Sequence, residues 1–265
     1  MTKSLSIIAR NASEAAYPHL WQGLAGAWVP SLGVTGETLR DVSGRTHHGT
    51  LQVQTPAETW QASRYGPVMF FGATDNNRKV VAQTSETINA AATARWSWCL
   101  WLKPVGAQYF APYYHAIGSY RFTTYQGHCS MYYTGQELSR ATSAWSNYGK
   151  TNDWNFISLN WLGSTSEWFI NGVQISTSNI ANITSGGSVI TIGLREDNFG
   201  ETPHQNAELT WRKRTLAGAE WRQLYQLGPG GWLARKRRRV YSIPAGPAFK
   251  AAWATRATTI AGVLQ

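Results

Sequence analysis

Charged side chains are scarce in this chain: Asp, Glu, Lys and Arg make up 14% of its 265 residues, against 13% for Trp, Tyr and Phe. A disordered polymer has the opposite balance, with many charges and few aromatic rings, so we expect the chain to fold around a sizeable core. Cysteine is nearly absent as well. Two thiols, Cys99 and Cys129, are too few for a disulfide framework, and two buried reduced thiols are favoured over a disulfide.

Long apolar runs are also missing. The first one, residues 5–9, is shorter than the apolar core of a signal peptide and is followed by Arg10, so neither a secretory leader nor a membrane span is predicted. Carboxylates spaced to share one strand face are missing too, because Glu196 and Asp197 are adjacent and would point to opposite faces. Retaining glycoside hydrolases need two carboxylates about 5 Å apart. The sequence therefore favours a protein that is not an enzyme.

Recognisable metal motifs are missing as well. The adjacent histidines His47 and His48 lack a nearby third ligand and are predicted to lie in a solvated turn. Calcium is the alternative, since two loops offer carboxylate and amide oxygens, but neither has the spacing of a dedicated calcium loop. No metal and no other cofactor is therefore predicted. The calcium alternative would use Asp75, Asn76 and Asn77 in one loop, or Glu196, Asp197 and Asn198 in the other.

What the chain does contain is a rhythm of glycine-rich turns between short runs of Trp, Tyr, Val, Ile and Thr, which is typical of antiparallel β-structure. In residues 96–103, large apolar side chains occupy every second position, which predicts a strand with one apolar and one mixed face. Residues 154–176 predict three strands, the last two joined by a type I′ hairpin turn at Asn171 and Gly172. One amphipathic helix is predicted over Ala217–Leu227, ended by the glycine that follows.

In their order along the chain, four segments resemble laminin-G-like domains of the concanavalin A-like lectin superfamily: residues 23–52, 68–82, 96–104 and 154–176. They carry an Asp-x-Ser-Gly turn, a Phe-x-Gly strand, an aromatic strand ending in Lys-Pro, and a Trp-bearing strand followed by an Asn-Gly hairpin. The resemblance implies an all-β jelly-roll sandwich of two antiparallel sheets, with one short C-terminal helix and extended terminal segments. The predicted parts are an N-terminal arm or edge strand at 1–22, the sandwich at 23–227, and a C-terminal docking strap at 228–265.

This fold does not decide the function, because the superfamily includes sugar binders, hydrolases and adhesion modules. Exposed aromatic rings next to amide groups are the side chains that a glycan-binding site would use. The same rings suit a buried core or a subunit interface equally well. The candidate glycan-binding residues are Tyr113, Tyr114, Trp145, Asn147 and Tyr148.

The basic excess of the chain, +10, is concentrated at its C-terminal end. Residues 1–209 carry thirteen residues of each sign, while residues 210–265 carry eleven basic residues and one acidic residue. Because apolar side chains follow the basic run at 235–239, we expect the strap to dock on an acidic or composite protein surface. Nucleic-acid binding through the tail is less favoured, since the body has no excess charge. The predicted anchoring residues are Trp232, Arg235, Lys236, Arg237, Arg238, Arg239, Tyr241, Phe249 and Trp253.

A helix, a basic run and an Ala-rich tail at residues 217–265 also resemble the C-terminal part of proteins from tailed bacteriophages and prophages. That resemblance implies a non-enzymatic structural protein of a phage virion, such as a capsid decoration, head-fibre or tail component. It would be assembled in the bacterial cytoplasm as a homo-oligomer, with other virion proteins as partners and glycans bound on its outer face. The alternative is a free carbohydrate-binding module for which the tail is incidental.

Overall fold

The computed structural model describes residues 13–52, 60–71, 79–89, 94–105, 115–117, 120–125, 128–133, 136–141, 148–150, 152–180, 186–193 and 204–233. Within these ranges the chain forms two antiparallel β-sheets, which confirms the predicted fold class. In sheet A the neighbouring strands are, in order, β15 (Val173–Asn179), β14 (Thr165–Ile170), β13 (Asn155–Trp161), β8 (Trp96–Pro104), β17 (His204–Arg212), β6 (Gly66–Phe71) and β5 (Trp60–Ser63), with β1 (Leu24–Trp28) paired to β17.

Sheet B contains shorter strands at one end and longer ones in the middle. Their order is β12 (Gln136–Arg140), β11 (His128–Tyr133), β10 (Tyr120–Tyr125), β9 (His115–Ile117), β16 (Gly186–Gly193), β7 (Lys79–Asn89), β4 (Gly49–Gln52), β3 (Thr38–Leu39) and β2 (Val34–Thr35). Short helices connect and flank the strands: a turn at residues 13–16, α1 (Pro18–Trp21), α2 (Pro30–Gly33) and α3 (Gly218–Leu227). Among the described residues, no helix has both the length and the apolar composition needed to cross a lipid bilayer.

Strand β8 shows how the two faces of sheet A are used. Trp98 and Leu100 are buried between the sheets with residues such as Ile192 of sheet B, in a cluster that we call the sandwich core. Cys99 and Trp101 point the other way and are buried in a second cluster, the outer core. The alternation seen in residues 96–103 is therefore confirmed, and neither face of this strand is exposed to solvent.

The two cysteines are free and buried, as the sequence favours. Burial raises the pKa of the Cys99 thiol to about 12, assisted by the nearby charge of Glu208. Burial also raises the pKa of Cys129 well above its ordinary value. Both thiols are therefore neutral and unreactive in the folded chain at physiological pH.

A covering layer lies on the outer face of sheet A. It consists of residues 13–21, helix α3 and residues 228–233, whose apolar side chains complete the outer core. In helix α3, the buried side chains of Trp221 and Leu224 belong to this core, and Trp221 lies 5.9 Å from the Phe169 ring. The sheet is thus packed on both faces, with the second sheet on one side and the covering layer on the other.

Helix α3 is stabilised at its start by Glu220 and ends at the glycine that the sequence predicts. The Glu220 carboxylate accepts a hydrogen bond from the Ala217 N–H (2.8 Å) and forms a salt bridge with Arg214. Partial burial would raise the pKa of Glu220, but hydrogen bonds from Arg214 and Ala217 hold it below its ordinary value. Gly228 ends the helix with a φ of +73°, a conformation that an L side chain rarely adopts.

Buried polar side chains of sheet A hold the covering layer in place. Arg212 donates from Nε to the carbonyl oxygen of Leu20 (3.2 Å), which ties down the N-terminal segment. Asn160 makes two hydrogen bonds to the backbone of Leu216, just before α3, at 2.7 and 3.0 Å. Because a buried polar group without a partner is costly, each of these side chains favours one position of the segment above it.

Glu208 holds the C-terminal segment in the same way. Its carboxylate accepts hydrogen bonds from the Gly230 N–H (2.7 Å) and from Trp232 Nε1 (2.9 Å). The carbonyl oxygen of Trp232 in turn accepts a hydrogen bond from Ser13, and the Trp232 ring meets the Trp21 ring edge-on at 5.6 Å. Both ends of the described chain are thereby joined over one patch of sheet A.

These contacts change the predicted boundaries. The chain divides into a compact unit at Met1–Arg235 and a second unit at Lys236–Gln265, so residues 228–233 belong to the sandwich and not to the strap. Residues 13–21 form helical turns in the covering layer, and no edge strand forms in the described part of the N-terminal segment. Trp232, predicted to anchor the chain to a partner, is instead buried within the chain itself, because its indole N–H satisfies Glu208.

The Asp-x-Ser-Gly turn differs from its prediction at His47. The Asp41 carboxylate accepts hydrogen bonds from the backbone N–H groups of Ala27 (2.9 Å), Ser43 (2.9 Å) and His47 (3.1 Å). His47 is buried, and its ring Nδ1 lies 3.1 Å from the carbonyl oxygen of Ala25. The prediction of a solvated turn is therefore wrong for His47, whereas His48 is exposed.

Candidate functional site

A loop at one end of sheet A combines exposure with a well-fixed backbone. The loop, residues 148–150 and 152–154, is called the Tyr148 loop. Asn155 is buried beneath it, accepting from the Lys150 N–H (2.6 Å) and donating to the carbonyl oxygens of Lys150 (2.8 Å) and Asp153 (2.9 Å). Asn171 donates to the carbonyl oxygen of Tyr148 (2.9 Å). Two asparagine side chains thus hold the loop from below.

The position of Asn171 comes from the hairpin turn that the sequence predicts. Asn171 and Gly172 have φ values of +53° and +78°, which are typical of a type I′ turn. The Asn171 side chain also accepts from the Phe156 N–H (3.0 Å), at the start of β13. The turn therefore aims this amide at the Tyr148 loop, and a residue without it could not form both contacts.

The turn between β5 and β6 reaches the same place from the far edge of sheet A. Its Arg64 forms a salt bridge with Asp153, with 3.1 Å between Nη2 and Oδ1. Arg64 also lies over the Tyr65 ring, 4.9 Å from its centre, and the Tyr65 ring meets Trp154 at 5.5 Å. The two turns are thereby joined by an ion pair and an aromatic contact.

The exposed side chains at this junction form what we call the Tyr148 surface. Tyr148 is 37% exposed, and the Arg64, Lys150 and Asp153 side chains are 58%, 53% and 39% exposed. Exposed ion pairs contribute little to stability, so a ligand can replace the Asp153 contacts at small cost. Beneath the surface, Tyr65 lies 6.0 Å from the buried Trp101 ring, so the surface rests on the outer core.

Chemically, this surface suits a polyhydroxylated ligand. An aromatic ring can stack on the apolar C–H face of a sugar, while a carboxylate accepts hydrogen bonds from hydroxyl groups and the cations donate to ring or carboxylate oxygens. Two cations next to one carboxylate leave a small positive excess. Among the described residues, no group of three or more His, Cys, Asp or Glu could hold a metal ion.

Of the residues that the sequence singles out, only part can be placed. Tyr148 lies in the loop that carries this surface, with its side chain exposed, and Trp232 lies in the outer core. The remaining candidate glycan-binding, anchoring and calcium residues lie outside the described ranges: Tyr113, Tyr114, Trp145, Asn147, Arg235, Lys236, Arg237, Arg238, Arg239, Tyr241, Phe249, Trp253, Asp75, Asn76, Asn77, Glu196, Asp197 and Asn198.

Arg64, Lys150 and Asp153 are members of the surface that sequence reasoning missed. Arg64 and Asp153 are far apart in the chain, and neither lies in a motif with a known spacing. The one local signal is the "RYG" turn at 64–66, which indicates a hairpin but not what it meets. The pairing of the two turns depends on the strand order of sheet A, which no local pattern encodes.

No protein-family model matches the chain, and no curated protein matches it by sequence. Solved structures do match it by fold. The binding domain of Paraclostridial Mosquitocidal Protein 1 aligns with a TM-score of 0.59 at 18% identity, over 78% of this chain and 52% of that one. A botulinum neurotoxin type C structure, described as depending on two ganglioside molecules for cell entry, aligns at 0.60 and 14%, over 79% and 52%. The botulinum neurotoxin DC binding domain in complex with SialylT aligns at 0.60 and 14%, over 78% and 52%.

At these identities the likeness shows the fold alone, and the chain spans about half the length of the domains that it matches. The fold is that of a lectin-like β-sandwich, which agrees with the superfamily resemblance without singling out laminin-G domains. Two of these neighbours are described as binding domains, and none of the three is described as a virion protein. The class that the fold defines is therefore a lectin-like β-sandwich.

Proposed function

We propose that this chain is a carbohydrate-binding module and that the Tyr148 surface holds the sugar. The observation that carries the proposal is a loop, fixed from below, that carries an exposed aromatic ring, an exposed carboxylate and a cation, and that forms an ion pair with a second cation. Fixing the loop before binding reduces the ordering cost that a weak, exposed sugar site must overcome. The neighbours that bind gangliosides or sialylated ligands support the class of ligand, and the surface itself supports the place.

The test is a glycan array probed with the full chain, followed by calorimetry on the glycan that binds best. The array contains both neutral and acidic glycans, because the surface carries a small positive excess. Replacing the ring in Tyr148→Ala removes the stacking contact, so we expect the affinity to fall by about fivefold or more. Asp153→Asn keeps the shape of the side chain and is expected to weaken binding to glycans that donate to the carboxylate.

The matched control is Val189→Ala. Val189 lies in sheet B, and its exposure (36%) is close to that of Tyr148. Its truncation therefore removes a similar exposed apolar group at another place. A loss of binding in both variants, or a Tyr148→Ala variant that binds like the parent, would contradict the assignment of the surface. Absence of binding across the whole array would contradict the function.

The finer part of the proposal concerns where the module is displayed. We infer attachment of the module to a virion through its C-terminal tail. This is supported by the sequence resemblance to phage proteins and by the basic run at residues 235–239, since residues 1–209 carry no excess charge. Quantitative mass spectrometry of purified phage particles tests this. We expect the full chain to be present in a fixed ratio to the major capsid protein, and a chain truncated after Arg235 to be missing from the particles. If the full chain is missing from the particles, the function is that of a free carbohydrate-binding module.

A further inference from the structure

The outer face of sheet A carries a buried polar patch that glycan binding does not use. Strand register places two rows of side chains next to each other across β13, β8 and β17, and all six are on the outer face, under the covering layer. Every one of these residues is almost completely buried. The first row is Asn160, Ser97 and Arg212, and the second is Ser158, Cys99 and Thr210.

Four polar groups in and above this patch have no hydrogen-bond partner within the described part of the chain. They are the hydroxyl groups of Ser97 and Ser158, the Nη2 group of Arg212 and the indole Nε1 of Trp221. Each belongs to a residue with no exposed surface. Buried donors are nearly always satisfied in native proteins, and four in one layer call for a shared acceptor.

The contacts of Arg212 and Trp221 show above which residues of the sheet each side chain lies. Arg212 Nη1 donates to Thr210 (2.8 Å), which brings the guanidinium over the second row. The Trp221 ring lies 6.0 Å from Phe156 and 5.9 Å from Phe169, and these two rings flank Ser158 along and across the strands. The region between guanidinium and indole therefore lies above Ser158 and its neighbour in β8.

The chemistry of the donors defines what fits there. A guanidinium and an indole N–H can only donate hydrogen bonds, and a hydroxyl can donate as well as accept. Within the described part of the chain Arg212 forms no salt bridge: the oxygens of Glu208 accept from Gly230 and Trp232, and burial raises the pKa of that carboxyl, which weakens its compensation of the guanidinium. The guanidinium lies instead over the Trp232 ring, 4.8 Å from its centre. The Cys99 thiol is neutral. An acceptor of negative charge is thus favoured over a neutral one.

We propose that one small monovalent anion of halide size is bound between sheet A and the covering layer, held by Arg212, Trp221, Ser97 and Ser158. The anion completes the hydrogen bonds of the four donors and compensates the buried guanidinium. Its role is to hold the helix on the sheet, and it is separate from the Tyr148 surface. The test of the anion site therefore does not depend on whether the chain binds glycans.

Bromide substitution tests the site directly. Crystals of the full chain grown with bromide in place of chloride are expected to show an anomalous peak between the guanidinium of Arg212 and the indole of Trp221. A water molecule at that position, with no anomalous signal, would overturn the proposal. So would a rearrangement in which the four donors find partners within the chain.

Thermal unfolding gives a second measurement. At equal ionic strength, chloride is expected to raise the unfolding temperature by about 3 °C relative to gluconate, which is too large to enter, if chloride is present at tenfold its Kd. Ser158→Ala removes one donor and should abolish most of that difference. Ser176→Ala is the control, because this buried serine lies opposite Trp168 on the sandwich-core face, and it should keep the difference. Equal unfolding temperatures in both salts for the parent chain would refute the proposal.

Discussion

Truncation of the C-terminal end tests whether residues 229–233 are part of the fold. One variant ends after Arg235 and keeps the whole compact unit, and the other ends after Gly228, where helix α3 ends. If the tail began at 228, the two would be equally stable. The structure leads us to expect that only the longer one folds.

The size of the difference can be worked out from the residues removed. Trp232 and Leu233 are 1% and 5% exposed, and loss of such side chains costs about 3–5 and 2–5 kcal/mol. Glu208 would lose the N–H of Gly230 and the indole N–H of Trp232, which costs about 1–3 kcal/mol or more for a buried carboxylate. The lower ends of these ranges together reach about 6 kcal/mol, comparable with the whole stability of a typical domain, about 5–15 kcal/mol.

Urea unfolding followed by tryptophan fluorescence and by circular dichroism measures this difference. We expect a cooperative transition for the chain ending at Arg235, and little or no folded baseline for the chain ending at Gly228. Trp232→Phe in the longer chain keeps most of the buried ring but loses the hydrogen bond to Glu208, so its free energy of unfolding should fall by about 1–3 kcal/mol. Equal transition midpoints for the two truncated chains would refute the role of the covering segment.

Three further predictions follow from single residues. The pKa of Glu220 is lower in the folded state than in the unfolded state. The stabilisation that its carboxylate provides is therefore present at a pH above the unfolded-state pKa, and it is lost as the pH falls through the folded-state pKa. Glu220→Gln should therefore cost about 1 kcal/mol near neutral pH and nothing in acid, and a pH-independent cost would contradict this. Cys99 and Cys129 should resist a thiol reagent such as DTNB in the folded chain at neutral pH and both react after unfolding, whereas rapid labelling of the native chain would show that the thiols are accessible. Gly172→Ala should destabilise the chain by at least about 1 kcal/mol, because φ is +78° and the added Cβ would lie 3.0 Å from the Arg222 backbone; a neutral result in urea unfolding would exclude this strain.

Much of the fold was accessible from local patterns. The alternation in residues 96–103 predicts both faces of β8, the Asn-Gly pair predicts the hairpin between β14 and β15, and helix α3 begins within one residue of its predicted start. Each of these depends on residues within a few positions of each other. Backbone sterics and the period of side-chain exposure act at that range, and so the sequence displays them directly.

The candidate site was accessible only in part. Tyr148 is recognisable as an aromatic residue in a polar stretch, but Arg64 reaches Asp153 only because the strand order of sheet A brings two distant turns together. His47 is predicted to be exposed, but distant residues bury it. Next to another histidine it resembles a solvated turn, yet the Asp41 carboxylate and the carbonyl oxygen of Ala25 bind it in the interior.

The sequence by itself determined the elements of this protein: which segments form strands, where they turn, and that the basic excess lies at the C-terminal end. Only the tertiary structure decided what lies against the second face of sheet A. Glu208, Asn160 and Arg212 read as polar residues on a strand, which would normally face water. They are buried because segments distant in the chain supply their hydrogen-bond partners, and such partners exist only once the sheet has formed.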